Sequence, residues 1–291
     1  MIYFHDLLQN DGFRSFVQKR IASHPGNEGY AFPSSFPPLF RYRPLSEYAI
    51  KDIVQDQFTL TSIGEFNDLF DGAFHMAYTQ EECKRQAADE WNERKKIFDK
   101  LPIQLVDQHD QYIAMRARRL KEDARLKFRE LDYLGTYVGC LSSQCDSTLM
   151  WSHYADGHKG FCIEYDFSKM TDLSLLPFPV VYTDKRIKMP WKAAIHPSRE
   201  ETIETAKTMM TALLTKDAEW SYEQEWRILI QHDNDPNVKM PKPSCVYIGS
   251  MCNEENRQWL CSIANSLSIP VKQMKIDRGE YALHAEDLNN F

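Results

Sequence analysis

Apolar and polar side chains alternate most regularly in Trp220–Ile230, WSYEQEWRILI. Read as a strand, whose successive side chains point to opposite faces, the stretch sends Tyr222, Gln224, Trp226, Ile228 and Ile230 one way. Glu223, Glu225, Arg227 and Leu229 go the other. One face is largely apolar. The other carries charge, with the two Glu side chains about 7 Å apart along an extended strand. Such a face suits chemistry, and it equally suits a sheet with one wet side whose charged residues pair across strands.

Shorter strand patterns occur at Leu39–Arg43, which Pro44 stops, at Phe58–Ser62, Gly139–Ser143 and Gly160–Asp166, near Val180–Tyr182, and at Val246–Ile248 and Val271–Ile276. Helical spacing predicts Glu47–Asp56 behind an N-capping Ser46, and Thr148–Ala155 capped by Asp146 or Ser147 and ended by Gly157. It also predicts helices over about Arg199–Lys216 and Glu254–Leu267. Phe66–Gly72 is a turn-rich loop whose Asn67 and Asp68 can bond the local backbone. Between about 79 and 134 the alternation gives way to charged helix formers with two apolar stripes. Cys83, Ala87, Trp91, Phe98 and Leu101 form one, Ile113, Ala117, Leu120, Ala124, Phe128 and Leu131 the other, with Leu101-Pro102 breaking the pattern between them. This reads as an inserted helical hairpin. Arg116, Arg118, Arg119, Lys121 and Arg125 on its second arm alternate with acids, which fits a solvated face or a dock for an acidic partner or phosphate.

Residues 1–39 read as an arm: a short amphipathic piece, then a proline-rich extended approach to residue 38. Residues 40–291 read as a single α+β domain, because strands lie scattered among single helices without regular βαβ spacing. Its core is then a mixed, mostly antiparallel sheet. A chain of 291 residues can bury a full core without staples. A net charge of -7 argues against chain-wide attraction to nucleic acid. The seven cysteines form no CxxC pair, so no structural zinc site is expected. With no secretory pattern at the start and no apolar run long enough for a membrane span, the expectation is a reduced, cytoplasmic protein away from membranes.

The segment Leu149–Gly160, LMWSHYADGHKG, is the densest in groups that recognise ligands. On a helix Met150 and Tyr154 share a face and Trp151 and Ala155 the next, so the segment can wall a flat ring or pack as core. His153 and His158 lack a third ligand at metal spacing, and the glycine-rich phosphate and dinucleotide fingerprints are absent.

Phe40-Arg41-Tyr42-Arg43, the Phe66-Asn67-Asp68 loop, the Met150–Tyr154 to Gly160 block and Tyr222–Arg227 together resemble the bacterial domain-of-unknown-function 2971 family, in the family's order over roughly residues 39–250. The family name carries no activity. The order of the blocks is also similar to that of ADP-ribosyltransferases of the Arg-Ser-Glu type, which implies an ADP-ribosyltransferase-like fold and NAD as substrate. By that resemblance Arg43 or Arg41 holds a phosphate or ribose, Ser142 or Ser143 orients the nicotinamide ribose, and Glu225 bonds its 2′-hydroxyl. Glu225 would steady the oxocarbenium charge that develops as the nicotinamide bond breaks, and Glu223 would act as general base on the acceptor, whether a small molecule, protein or nucleic acid. Trp151, His153, Tyr154 and Arg227 complete the candidate nucleotide-binding set. The chain departs from the transferase pattern in having Leu141-Ser142-Ser143 for a Ser-Thr-Ser triplet, and that scheme gives the Trp-Ser-His-Tyr block no role. Two other classes fit the residues. Asp68, Asp71, Glu164, Glu223 and Glu225 can collect magnesium in a phosphodiesterase or nuclease, and the aromatic wall can serve a non-catalytic nucleotide sensor.

Overall fold

The strand patterns assemble into one dominant sheet. The computed structural model describes residues 35–72, 79–98, 109–126, 136–187, 207–208, 210–231 and 236–288, with isolated positions between 11 and 19. In chain order the strands are β1 (Leu39–Arg43), β2 (Gln57–Thr59), β3 (Thr61–Ser62), β4 (Thr136–Ser142), β5 (Phe161–Tyr165), β6 (Phe178–Pro179) and β7 (Val181–Thr183). They continue with β8 (Thr215–Asp217), β9 (Glu225–Gln231), β10 (Asn237–Lys239), β11 (Cys245–Ile248), β12 (Val271–Ile276) and β13 (Leu283–Asp287). The helices are α1 (Glu47–Val54), α2 (Gln80–Phe98), α3 (His109–Leu126), α4 (Thr148–Tyr154) and α5 (Glu254–Ser266). The main sheet runs β13-β12-β11-β5-β1-β4-β9-β6 with β3 beside β4. Its pairings are antiparallel except that of β11 with β12. The architecture is therefore α+β with a mixed, mostly antiparallel sheet. None of the described helices is long and apolar enough to cross a membrane.

Contacts divide the chain into two compact units, residues 1–72, 131–185 and 213–291 in one and 73–130 with 186–212 in the other. The second unit contains the expected helical pair. Thr79 and Glu82 exchange bonds between side chain and backbone amide at the start of α2, a reciprocal cap. Cys83 and Ala87 of α2 pack with Ala117, Leu120 and Ile113 of α3. Arg116 is not free: its Nε lies 2.7 Å from Glu90 Oε2. Leu101, Phe128 and Leu131, and the side chains of Phe98, Ala124 and Arg125, lie outside the described residues, as does most of the N-terminal arm.

In the first unit both faces of the sheet are covered. Leu39, Leu141, Ile163, Trp226, Ile228 and Val246 join Ile53 of α1 and Leu260 of α5 in one core, while Phe40, Tyr42, Cys162 and Tyr247 pack with Met150 and Trp151 of α4 in the other. The charged side of the β9 stretch is thus not a wet face: Glu225 is 4% exposed and Arg227 0%. That stretch is also not one strand. Asp217 caps a 3-10 helix over Ala218–Glu223 by accepting from Glu219 N, and Gln224 takes left-handed angles (φ 41, ψ 53) before β9 begins at Glu225. Similarly, the helix expected to end at Lys216 gives way to β8, which pairs parallel with β7, and residues 191–206 lie outside the described set. Ser46 and Ser147 cap α1 and α4 through their side chains as their sequence positions predict.

One feature of pairing creates the site. β1 pairs with β5 from Leu39 to Arg43 and β4 pairs with β9 from Thr136 to Ser142, but β1 and β4 meet at the single pair Phe40↔Ser142. The sheet is split below that pair.

Candidate active site

A cavity of about 380 Å³ is lined by β1 residues 40–43 on one side and β4 residues 138–142 on the other. Gly139 is required here, since a Cβ would fall 2.3 Å from Leu60 Cδ2 and 2.6 Å from Phe58 Cε1. Phe66 and Asn67 of the turn-rich loop, Met150 and Tyr154 of α4, and Lys216, Glu223 and Glu225 also line it, with Phe58, Thr59, Thr61 and Glu65. Asp68 of that loop uses one oxygen locally, Oδ1 accepting from Phe70 N at 2.9 Å, while its buried Oδ2 has no hydrogen-bond partner among the described residues.

The floor is an ionic network in which two cations hold three carboxylates. Arg227 donates from Nη1 and Nη2 to the two Asp71 oxygens at 2.7 and 2.6 Å, and from Nε and Nη2 to the two Glu225 oxygens at 2.8 and 2.9 Å. Lys216 Nζ donates to Glu223 Oε2 at 2.5 Å and lies 3.4 Å from Glu225 Oε2 and 3.6 Å from Asp71 Oδ2. Tyr154 donates its hydroxyl to Glu223 Oε1 at 2.6 Å. The backbone is fixed as well: Glu225 N donates to Tyr182 Oη of β7 at 2.7 Å, and Ser142 Oγ donates to the Glu223 carbonyl at 2.7 Å.

The two neighbouring glutamates are driven apart electrically. Burial pushes the Glu225 carboxyl up, but Arg227 and Lys216 outweigh it and hold the group at about 2. For Glu223, burial and the Glu225 charge win over Lys216 and Tyr154, and the carboxyl rises above its ordinary value. Burial would lower the Lys216 ammonium, yet Glu225, Glu223 and Asp71 raise it above the ordinary lysine value. A proton gained by this network therefore goes to Glu223.

On the opposite wall Arg41 is a buried cation with incomplete pairing. Its Cζ stands 3.3 Å from the Phe58 ring centroid, Nη2 donates to Thr59 O at 3.0 Å, and Nε is 3.5 Å from Asp52 Oδ2. Nη1 is buried and has no hydrogen-bond partner among the described residues. Burial brings its guanidinium down to about 10, against the pull of Asp52. Arg43, more open, places Nε 3.1 Å from the same Asp52 oxygen.

Of the residues expected at the site, Arg41, Arg43, Ser142, Tyr154, Glu223 and Glu225 line this one cavity. Ser143 stands off it, bonding Gln224 Oε1 at 3.0 Å. Trp151 is fully buried in the core, its Nε1 donating to Cys145 O at 2.8 Å, so its ring cannot face a ligand. His153 is exposed beside Tyr154 and Tyr222, and Arg227 is sealed beneath the cavity, where it grips Glu225. Glu164 accepts from Tyr247 at 2.6 Å, and no group of three or more potential metal ligands occurs among the described residues. A magnesium site would require Asp71, Glu223 and Glu225 to release Lys216 and Arg227. The sequence pattern gave no hint of Lys216, because a strand of three residues is too short to show alternation, nor of Asp52, which lies on the buried stripe of α1 with Ala49 and Ile53 although aspartate is a residue type that is usually exposed.

Residues 150–228 match the family described as Protein of unknown function (DUF2971). The matched segment contains Tyr154, Lys216, Glu223, Glu225 and Arg227, while Arg41, Asp71 and Ser142 lie outside it. No curated protein and no solved structure matches the chain.

Proposed function

We propose that the cavity binds NAD and cleaves its nicotinamide–ribose bond, in the manner of an ADP-ribosyltransferase. The observation that carries the reading is the pairing of opposite charges across the split sheet, an incompletely partnered Arg41 on one wall and a rigidly held, ionised Glu225 on the other. A buried N–H group without a partner is costly, and a phosphate oxygen would satisfy it. Breaking the nicotinamide bond leaves positive charge on the ribose, and a carboxylate fixed beforehand stabilises that charge without reorganising. Ser142 takes a different part from the one the transferase resemblance implies: its hydroxyl is committed to the Glu223 carbonyl and holds the turn before β9.

Both oxygens of Glu225 are engaged by Arg227, which also suits a pocket that binds a nucleotide without turnover. Incubation with NAD while following free nicotinamide separates the two. Wild-type protein should release nicotinamide, and Glu225→Gln should cut the rate by about 10² to 10³, as loss of one preorganised electrostatic group does. NAD that binds but remains intact supports the sensor instead, and equal rates in wild type and Glu225→Gln exclude the catalytic role.

A further inference from the structure

Resting on the NAD-cleaving reading, we propose that Tyr154 is the group through which the site takes a proton from its acceptor, and that this acceptor is a neutral hydroxyl, water included. Tyr154 and Glu223 both line the cavity, and the phenol already donates to Glu223 Oε1. The side chain of Asn67 also bonds the phenol. A hydroxyl oxygen so held keeps capacity to accept one further bond from an incoming O–H. The acceptor oxygen bonds the ribose carbon while the nicotinamide leaves as a neutral molecule with the electron pair of the broken bond. The acceptor proton passes to the Tyr154 oxygen, and the phenol proton passes to Glu223.

Glu223 suits the end of this relay because it is the carboxylate of the network without an arginine partner. Arg227 grips Asp71 and Glu225, whereas Glu223 has Lys216 and Tyr154. The charged and titratable groups that face Glu223 are Lys216 from β8, Tyr154 from α4, Glu225 from β9 and Tyr222 from its own turn, with Tyr182 of β7 interacting through Glu223's charge. Three carboxylates against two cations leave one net negative charge, so the network can accept a proton. The same arithmetic selects the acceptor. A carboxylate acceptor needs no base and would meet like charge. A guanidinium would need a free carboxylate pair, and those of Asp71 and Glu225 are taken. A phenol at the cavity wall matches an O–H donor.

This also gives the Met150–Tyr154 block a purpose. Buried Trp151, tied to Cys145 O, anchors α4 so that the side chain three residues on reaches Glu223.

The test uses the full chain, NAD as probe, and Tyr154→Phe. Release of nicotinamide should fall about 100-fold, within the range of a lost general base, with KM for NAD changing little. Carbon-detected NMR titration of Glu223 should show its midpoint rising in the variant, because a bond that stabilised the carboxylate is gone. Methanol added to the wild type should compete with water and yield the O-methyl ADP-riboside, while free arginine yields no adduct. Unchanged kcat overturns the relay, and so does a lost kcat with an unmoved Glu223 midpoint, which means that the two groups share no proton. Preferential adduct formation with arginine overturns the hydroxyl assignment. Wild-type protein that neither binds nor cleaves NAD overturns the NAD reading, and the acceptor with it. The titration then decides by itself whether Tyr154 and Glu223 share a proton.

Discussion

Replacing Lys216 by Met removes a buried charge while keeping an unbranched chain of similar length, so the packing loss is small and the electrostatic loss is isolated. The side chain is 5% exposed and its ammonium lies within 3.6 Å of Glu223, Glu225 and Asp71. Breaking a buried pair by deleting one partner costs about 3–5 kcal/mol, because the other charge is left uncompensated. Here the remaining groups have a way out. Without Lys216 the network carries three carboxylates against Arg227 alone, and Glu223, already raised, rises further and binds a proton. A carboxyl whose folded value exceeds its unfolded one contributes stability that is fully present below the unfolded value, about 4.3 for glutamate, and lost as pH rises through the folded value. The slope is at most about 1.4 kcal/mol per pH unit, or about 4 kcal/mol between pH 5 and pH 8. Lys216→Met should therefore be close to wild type at pH 5 and less stable at pH 8, by up to about 4 kcal/mol. Hydrogen exchange of the β9 amides, corrected for the intrinsic rate at each pH, reads the stability of the sheet unit apart from the helical pair. Equal protection of variant and wild type at pH 8 would refute the reasoning, as would the same loss at both pH values.

Arg41→Gln should weaken NAD binding by about 10- to 100-fold, the worth of one hydrogen bond to a charged group; calorimetric titration checks it, and unchanged affinity would place the phosphate elsewhere. Trp151→Ala should destabilise by about 3–5 kcal/mol as a core truncation, measured by urea unfolding, and should leave NAD affinity unchanged under conditions where the variant stays folded, since the ring faces the core. A variant of normal stability with lost affinity would return Trp151 to the ligand wall.

The elements best predicted are those whose pattern is local. β1, β12 and the caps at Ser46 and Ser147 follow from alternation and from a hydroxyl placed before a helix. The helical pair is legible because its two stripes recur at helical spacing. Less legible were β8, β10 and β13, whose residues carry no apolar face that would distinguish them from loops. The stretch around Glu223 misled for a specific reason. Its alternation is real in composition, but the Asp217 cap and the left-handed Gln224 fold the first half into a tight turn, so the two glutamates converge on Lys216 instead of lying along one strand.

By itself the sequence determined the α+β class and the resemblance carried by residues 150–228, because these depend on side-chain period and residue order along the chain. Which charged residues face a cavity and which merely hold others in place was decided by tertiary structure alone. Arg41 and Arg227 are both arginines in strands. One keeps an unpartnered N–H beside the split between β1 and β4, and the other spends its donors on Asp71, Glu225 and the Leu213 carbonyl. The physical reason is that burial makes each charge depend on partners remote in sequence, Asp71 lying 156 residues from Arg227 and Tyr154 69 residues from Glu223, and no local pattern records those distances.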